Sequence, residues 1–123
     1  MKKLLLVDDD IGLTKLVKMN LDATGQYEVK VENQSKSALT TARSFKPDII
    51  VLDYIMPDKD GGDVMNEFRD DPVVKDIPVI MLTALVTGND TEGDGILESG
   101  GQKMLPKPVD LDVLLRCIEE ELR

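Results

Sequence analysis

The sequence predicts an α/β fold in which helices cover both faces of a doubly wound parallel sheet. Two apolar runs, Leu4 to Val7 and Ile49 to Leu52, are unbroken, as is typical of parallel strands buried on both faces. Strand candidates alternate along the chain with segments of helical periodicity. The length of 123 residues suits one domain, over residues 1–123, with a single core.

The first half of the chain is predicted to form three strands and two helices in alternation. In chain order these are a strand from Lys3 to Val7, a helix from Ile11 to Ala23, a strand from Tyr27 to Glu32, a helix from Ser35 to Phe45 and a strand from Asp48 to Asp53. In the first helix, the apolar residues are expected to fall on one face, and they are Leu13, Leu16, Val17 and Leu21. Gly25 is expected to end this helix and Pro47 to start the third strand, because glycine favours helix C-termini and proline breaks helices.

The second half continues the alternation with three helices and two strands. In chain order these are a helix from Gly62 to Arg69, a strand from Pro78 to Leu82, a short helix near Gly95 to Ser99, a strand from Lys103 to Leu105 and a helix from Asp110 to Leu122. Cys117 lies among apolar residues on a helical face, which predicts a buried thiol. Flavodoxin-like sheets with five strands and five flanking helices have the strand order 2-1-3-4-5. Pro106 would then lie in a strand at a sheet edge, where a missing amide donor is tolerated.

Charge and composition exclude several classes of function. With 24 acidic and 15 basic residues the net charge is −9, which argues against binding nucleic acid or an anionic membrane by charge and favours a cationic partner or a metal. There is no histidine, which excludes histidine-based catalysis, histidine-ligated metals and a phosphohistidine on this chain. The first apolar run is only four residues long before acids interrupt it, so it predicts a strand of a cytoplasmic protein rather than a signal peptide.

Carboxylates follow two of the predicted strands. Asp8, Asp9 and Asp10 come directly after the first strand, and Asp53 ends the third. In the predicted strand order these ends are neighbours and form the ligand crevice of the sheet. Clustered like charges need a counter-charge, and a hard cation such as Mg²⁺ suits an oxygen-rich cluster. Asp10 is favoured as the N-terminal cap of the first helix rather than as a ligand.

Four motifs, each at a strand end, resemble the receiver domain of two-component response regulators, a family that includes chemotaxis regulators. They are Leu-Val-Asp-Asp-Asp at 6–10, Asp53-Tyr54-Ile55-Met56-Pro57 followed by Asp60-Gly61, Leu82-Thr83-Ala84, and Lys107-Pro108. Each motif alone is weak evidence. In this order and at these spacings, they make the resemblance strong over essentially the whole chain.

The resemblance implies a role for each motif residue. Asp53 would be the nucleophile that takes a phosphoryl group from a phosphohistidine on a sensor histidine kinase or phosphotransfer protein. The other implied roles are Mg²⁺ ligands at Asp8, Asp9, Asp53 and the Ile55 backbone carbonyl, a hydroxyl donor at Thr83 and a cation at Lys107. A cis peptide between Lys107 and Pro108 is also implied. The output would pass to a downstream effector protein or effector domain, with the domain catalysing only its own phosphorylation and dephosphorylation.

Three departures from the family pattern limit this transfer of roles. Met104 stands where receiver domains usually have an aromatic residue that couples phosphorylation to a distant surface. Residues 86–95 are rich in glycine, which predicts a short fourth helix on the face that relatives use for docking and for phosphorylation-dependent homodimers. Ile55 and Leu85 are apolar where some relatives have polar groups that orient water, which predicts slow hydrolysis of the phosphoryl group.

Two alternative functions remain open from the sequence. A Mg²⁺-dependent phosphatase with an aspartyl nucleophile would have a second acid two residues on, but the strand here continues as Asp53-Tyr54-Ile55. A pseudo-receiver that binds partners without phosphorylation is disfavoured by the intact Asp53, Thr83 and Lys107. The sequence leaves open whether the chain is a free-standing receiver or part of a larger regulator.

Overall fold

The computed structural model describes residues 1–84, 97–99 and 102–123, which form one sheet flanked by helices. The strands are β1 (Lys2–Val7), β2 (Tyr27–Glu32), β3 (Ile49–Asp53), β4 (Val79–Thr83), β5 (Leu97–Ser99) and β6 (Gln102–Pro106). The helices in this part of the chain are α1 (Ile11–Ala23), α2 (Ala38–Phe45), α3 (Gly61–Asp70) and α4 (Leu111–Glu121). A 3₁₀ turn at Ser35–Ser37 leads into α2, so the predicted second helix begins as a tighter turn.

The sheet has the strand order β2-β1-β3-β4-β6-β5. The first five of these strands are parallel, and their order confirms the predicted 2-1-3-4-5 arrangement, with β6 as the fifth strand of that prediction. Strand β5 is antiparallel to β6, with Leu97 opposite Met104 and Ser99 opposite Gln102. The short helix expected near Gly95 to Ser99 is therefore wrong at residues 97–99, which pair with β6 as a strand. Gly95 and Ile96 lie outside the described residues, as do the glycine-rich residues 86–94.

The addition of β5 also corrects the position of the last parallel strand. Pro106 was expected in an edge strand, but β6 lies between β4 and β5. Strand β5 pairs only with residues 102–104, so Pro106 lies beyond the part of β6 that β5 covers. The missing amide of Pro106 therefore removes no hydrogen bond to β5.

Two apolar clusters pack on opposite faces of the sheet, as in a doubly wound fold. Leu4 and Leu6 of β1 lie in the cluster that includes residues of α1 and α4, whereas Leu5 and Val7 lie in the cluster that includes residues of α2 and α3. This alternation follows from strand geometry, in which successive side chains point to opposite faces. Cys117 of α4 is fully buried in the first cluster, which confirms the predicted buried thiol.

Three helices begin at an aspartate cap. Asp10 Oδ1 accepts from the Leu13 amide at 3.0 Å, which confirms that Asp10 caps α1. Asp60 caps α3 through the Asp63 amide, and Asp110 caps α4. Because these helices follow β1, β3 and β6, their N-termini lie at the edge of the sheet where the parallel strands end. Within the described part of the chain, no helix has the length and apolarity needed to cross a membrane.

Candidate functional site

The carboxyl ends of β1 and β3 bring three carboxylates together. Carboxylate oxygens of Asp8, Asp9 and Asp53 lie within 4.8 Å of one another. The strand register explains this, because Val7 pairs with Leu52 and the next residue of each strand is an aspartate. Asp8 and Asp53 are buried, with 0% and 3% of their surfaces exposed, whereas Asp9 is exposed. Two acids of the cluster are therefore buried at the strand ends, and the third faces solvent.

Lys107 supplies a positive charge between the two buried acids. Its Nζ lies 2.9 Å from Asp8 Oδ2 and 3.1 Å from Asp53 Oδ1. The Lys107 amide donates to the Thr83 carbonyl oxygen at 3.0 Å, which fixes the backbone of this residue to the end of β4. The peptide bond between Lys107 and Pro108 is cis, as the sequence motif implied.

The electrostatics of the site leave the carboxylates short of positive charge. Burial, followed by the neighbouring Asp8 carboxylate, raises the pKa of Asp53 from 3.8 to about 6, against the opposing effect of Lys107. Burial alone would lower the pKa of Lys107, but its contacts with Asp8 and Asp53 raise it above the usual value. Lys107 is therefore charged at neutral pH, and its one charge is shared between two carboxylates. A further cation would relieve this deficit.

The donor set fits a hard divalent cation. Within the residues that the structure describes, Asp8 Oδ2 is the one buried side-chain oxygen or nitrogen that makes no hydrogen bond, although the charge of Lys107 is close to it. A buried carboxylate oxygen whose one close cation is shared with Asp53 is a suitable ligand for Mg²⁺, which prefers oxygen. Ile55 follows Asp53 by two residues and exposes 54% of its surface. The role of its carbonyl as a further ligand stays a prediction.

Thr83 lies at the same edge of the sheet, at the end of β4. Its predecessor Leu82 pairs with Asp53, so Thr83 extends one residue beyond the position of Asp53 on the neighbouring strand. Only 2% of Thr83 is exposed, and small Ala84 follows it. The fold thus brings Asp8, Asp9, Asp53, Thr83 and Lys107 to one edge of the sheet, from four different strand ends.

A family model described as the response regulator receiver domain matches residues 4–119. The chain belongs to this family. The response regulator PleD of Caulobacter vibrioides is 42% identical over 115 residues, which cover 92% of this receiver domain and 24% of PleD. The DNA-binding dual master transcriptional regulator RpaA of Synechocystis is 35% identical over 123 residues, which cover all of this chain and 50% of RpaA. The chain thus spans between a quarter and half the length of these curated relatives.

Solved structures of receiver domains have the same fold. The receiver domain of the Francisella response regulator 1452 superposes with a TM-score of 0.81 at 31% identity, covering 99% of this chain and 97% of that one. The chemotaxis protein CheY4 of Vibrio cholerae superposes with a TM-score of 0.81 at 29% identity, covering 99% of both chains. The resemblance inferred from the four motifs is thereby confirmed.

Gly61 of the receiver domain is required by a close approach that the sequence did not reveal. A Cβ atom at Gly61 would lie 2.7 Å from Tyr54 Cα and 2.8 Å from the Asp53 carbonyl oxygen. The Gly61 amide also donates to the Tyr54 carbonyl oxygen at 2.6 Å. The start of α3 therefore packs directly on the backbone of Asp53 and Tyr54 at the end of β3. The Asp60-Gly61 motif marked this position, but the reason for glycine appears only in three dimensions.

Asn33 and Ser35 were also missed, because no sequence pattern singled them out. Both donate side-chain hydrogen bonds to backbone atoms of the loops around the carboxylates. Met104, which replaces the aromatic residue usual in the family, packs partly buried against the apolar cluster that includes residues of α2 and α3. Its side chain therefore lies on the face of the sheet opposite to α1 and α4.

Proposed function

We propose that this receiver domain accepts a phosphoryl group on Asp53 from a phosphohistidine of a sensor histidine kinase or phosphotransfer protein, and that phosphorylation controls an output. The observation that carries the proposal is the position of Lys107 Nζ, 2.9 Å from Asp8 and 3.1 Å from Asp53, at the adjacent ends of β1 and β3. A buried carboxylate beside a second acid and a cation is the arrangement that phosphoryl transfer needs, since the reaction depends on positioning and charge stabilisation.

The transfer itself is a displacement at phosphorus. A carboxylate oxygen of Asp53 forms a bond to phosphorus while the phosphorus–nitrogen bond of the donor breaks. The electron pair of that bond stays on the imidazole nitrogen of the donor, and the product on this chain is an acyl phosphate. Asp8, Asp9, Asp53 and the Ile55 carbonyl would hold Mg²⁺, which when bound neutralises charge on the phosphoryl oxygens.

Lys107 and Thr83 would stabilise the transferred group. Lys107 stays protonated at neutral pH, since its contacts with two carboxylates raise its pKa. Once Asp53 is phosphorylated, the Lys107 ammonium is free to pair with a phosphoryl oxygen in place of the lost carboxylate charge. The Thr83 hydroxyl, at the end of β4, would donate a hydrogen bond to the same group.

The proposal covers partners and location as well. The phosphorylated domain would pass its signal to a downstream effector protein or effector domain. Formation of a phosphorylation-dependent homodimer is one way in which it would do so. RpaA is a DNA-binding regulator, but the net charge of −9 argues against nucleic acid binding by this domain itself. We place the domain in the cytoplasm, acting on no separate substrate. The residue two positions after Asp53 is Ile55, whereas a phosphatase with an aspartyl nucleophile would have a second acid there.

The test is phosphorylation by a small donor. The parent protein, Asp53→Asn and the matched control Asp58→Asn are incubated with Mg²⁺ and acetyl phosphate, and their intact masses are measured. The parent and the control should each gain one phosphoryl group, Asp53→Asn should gain none, and chelation of Mg²⁺ should abolish the gain. If the parent gains no mass here or with phosphorylated kinases, the proposal fails. Release of phosphate from varied monoesters would instead favour the phosphatase.

A further inference from the structure

The loop after β2 holds the peptide that carries Asp8. Asn33 Nδ2 donates to the Asp8 carbonyl oxygen at 2.8 Å and to Thr14 Oγ1 at 3.1 Å. The amide of Asp8 donates to the carbonyl oxygen of Glu32, the last residue of β2, at 3.1 Å. The amide and the carbonyl of Asp8 are therefore both held from β2 and its following loop. This fixes the backbone from which the Asp8 and Asp9 carboxylates extend.

The same loop also holds the segment that follows Asp53. Ser35 is 4% exposed, and its Oγ donates to the Pro57 carbonyl oxygen at 2.7 Å and accepts from the Lys59 amide at 3.2 Å. Asp58 lies between Pro57 and Lys59 with a φ of 71°, a left-handed conformation that is uncommon for a residue with a side chain. The Lys59 amide also approaches the Pro57 carbonyl oxygen at 2.9 Å, as in a tight three-residue turn. Ser35 thus holds closed a strained turn that lies two residues beyond Ile55.

The loop of residues 33–35 is itself held by hydrogen bonds from the residues on either side of it. The two Glu32 carboxylate oxygens accept hydrogen bonds from the Gln34 amide at 3.0 Å and from Thr41 Oγ1 at 2.6 Å. The Ser37 amide donates to the Gln34 carbonyl oxygen at 3.1 Å. Only Gln34 separates Asn33 from Ser35, so a short fixed segment links the backbone of Asp8 to the turn at residues 57–59, which follows Asp53 and Ile55.

We propose that Asn33 and Ser35 are positioning residues that set the separation between the Asp8–Asp9 pair and Asp53, and thereby the affinity of the cluster for Mg²⁺. The inference rests on the function proposed above. The hydrogen bonds of Asn33 and Ser35 go to backbone atoms and to Thr14, so both residues act on the carboxylates through the backbone. Mg²⁺ demands near-octahedral geometry, so a small change in ligand separation weakens its binding.

The experiment compares Ser35→Ala and Asn33→Ala with a matched control. Thr24 Oγ1 also donates to a carbonyl oxygen, that of Leu21, and accepts from an amide, that of Gln26, but it lies at the far end of α1. Thr24→Val therefore removes an equivalent hydroxyl away from the cluster. For each protein, amide NMR spectra are recorded during titration with MgCl₂ to obtain the dissociation constant. Urea unfolding without metal measures the stability of the same samples.

The dissociation constant for Mg²⁺ should rise about tenfold in Ser35→Ala and in Asn33→Ala, as for other residues that orient metal ligands. Thr24→Val should keep the parent value within about twofold, even where its unfolding midpoint falls as much as that of the other two. A purely structural role would move only the midpoint. If both site variants bind Mg²⁺ as the parent does, the inference is wrong.

The outcome is separable from that of the proposed function. Phosphorylation of the parent by acetyl phosphate, with unchanged Mg²⁺ affinity in both variants, overturns only the positioning role. Weakened Mg²⁺ binding in the variants supports the positioning role even where the parent takes up no phosphoryl group, and then the proposed function alone fails. If Ser35→Ala does not fold, Asn33→Ala decides the question by the same criterion.

Discussion

Asp53 is a buried acid beside a second buried acid, and the stability of the protein should depend on pH because of it. Its pKa is raised from 3.8 to about 6, so the folded state binds the proton more tightly than the unfolded chain. Below about pH 4 Asp53 is protonated in both states and does not lower the free energy of unfolding. As pH rises from about 4 to 6, ionisation of the buried acid lowers the free energy of unfolding, and above this window the loss is complete, on the order of 2 kcal/mol.

The variant Asp53→Asn should therefore be more stable than the metal-free parent at neutral pH. The difference in free energy of unfolding should grow from near zero at about pH 4 to on the order of 2 kcal/mol above about pH 6. Urea unfolding across this range, with a chelator present, measures it. Added Mg²⁺ should shrink the difference, because binding stabilises the parent. A stability difference that does not change with pH would contradict the raised pKa.

Ile55 presents an apolar side chain, 54% exposed, two residues beyond Asp53, the proposed phosphoryl acceptor. Because it offers no polar group to orient water, we expect the phosphoryl group to hydrolyse slowly. Leu85, the other residue behind this prediction, lies outside the described part of the chain. Ile55→Gln should shorten the lifetime of the phosphoprotein by roughly tenfold, since positioned polar groups speed proton transfer. Val73→Gln, at a similarly exposed apolar residue before β4, is the control. A parent lifetime of seconds at neutral pH would refute slow hydrolysis.

At the scale of single residues, the sequence was sufficient to predict the charged side chains of the site. Asp8 and Asp53 could be placed together because they lie at the ends of predicted strands, and strand ends meet in a parallel sheet, whereas Lys107 was placed beside them by the family resemblance. Asn33 and Ser35 could not be placed, since their partners are backbone atoms of other loops. Nothing in the sequence marks which carbonyl a loop side chain will reach.

The start of α3 offers a test at the scale of one element. A Cβ at Gly61 would lie 2.7 Å from Tyr54 Cα, a backbone atom that has little freedom to move. Gly61→Ala should push α3 away from β3, lower the free energy of unfolding by about 2 kcal/mol and slow phosphorylation. Gly12→Ala in α1 is the control, because its Cβ meets nothing closer than 3.5 Å. That change should instead stabilise the helix by about 0.5–1 kcal/mol. Equal stabilities of the two variants, measured by urea unfolding, would contradict the packing described.

Two neighbouring acids before α1 have different predicted roles, Asp10 as the cap of the helix and Asp9 as a ligand for Mg²⁺. Asp10→Ala removes the acceptor for the Leu13 amide, and should cost about 1 kcal/mol of stability while leaving the affinity for Mg²⁺ unchanged. Asp9→Ala should do the reverse, because Asp9 is exposed and its carboxylate belongs to the cluster. Thermal unfolding without metal and titration with MgCl₂ measure the two effects. A loss of Mg²⁺ affinity in Asp10→Ala would make Asp10 a ligand as well as a cap.

The elements of the fold were predictable where apolar periodicity was strong. Helix α1 and strand β2 have the predicted bounds, and β3 differs by one residue. The strand at Leu97–Ser99 was missed because a run of three residues is too short to show a period. The two glycines that separate it from β6 in the sequence, Gly100 and Gly101, are favoured in hairpin turns and were the available signal.

At the scale of the whole molecule, the order of the parallel strands creates the site. Ends of β1, β3, β4 and β6, far apart in sequence, each contribute to one edge of the sheet. The sequence was sufficient for this architecture, because unbroken aliphatic runs and helical segments alternate along the chain. It was not sufficient for the edge of the sheet beyond β4, where three residues shortly before β6 pair with it as the antiparallel strand β5.

The central claim is that Asp53 carries the phosphoryl group, and chemical trapping tests it most directly. The phosphorylated protein is treated with borohydride, which reduces an aspartyl phosphate to homoserine with loss of phosphate, and the peptides are sequenced by mass spectrometry. The account predicts homoserine at position 53 and aspartate at positions 8 and 9. Homoserine at another aspartate, or a phosphoprotein with no reducible acyl phosphate, would contradict it.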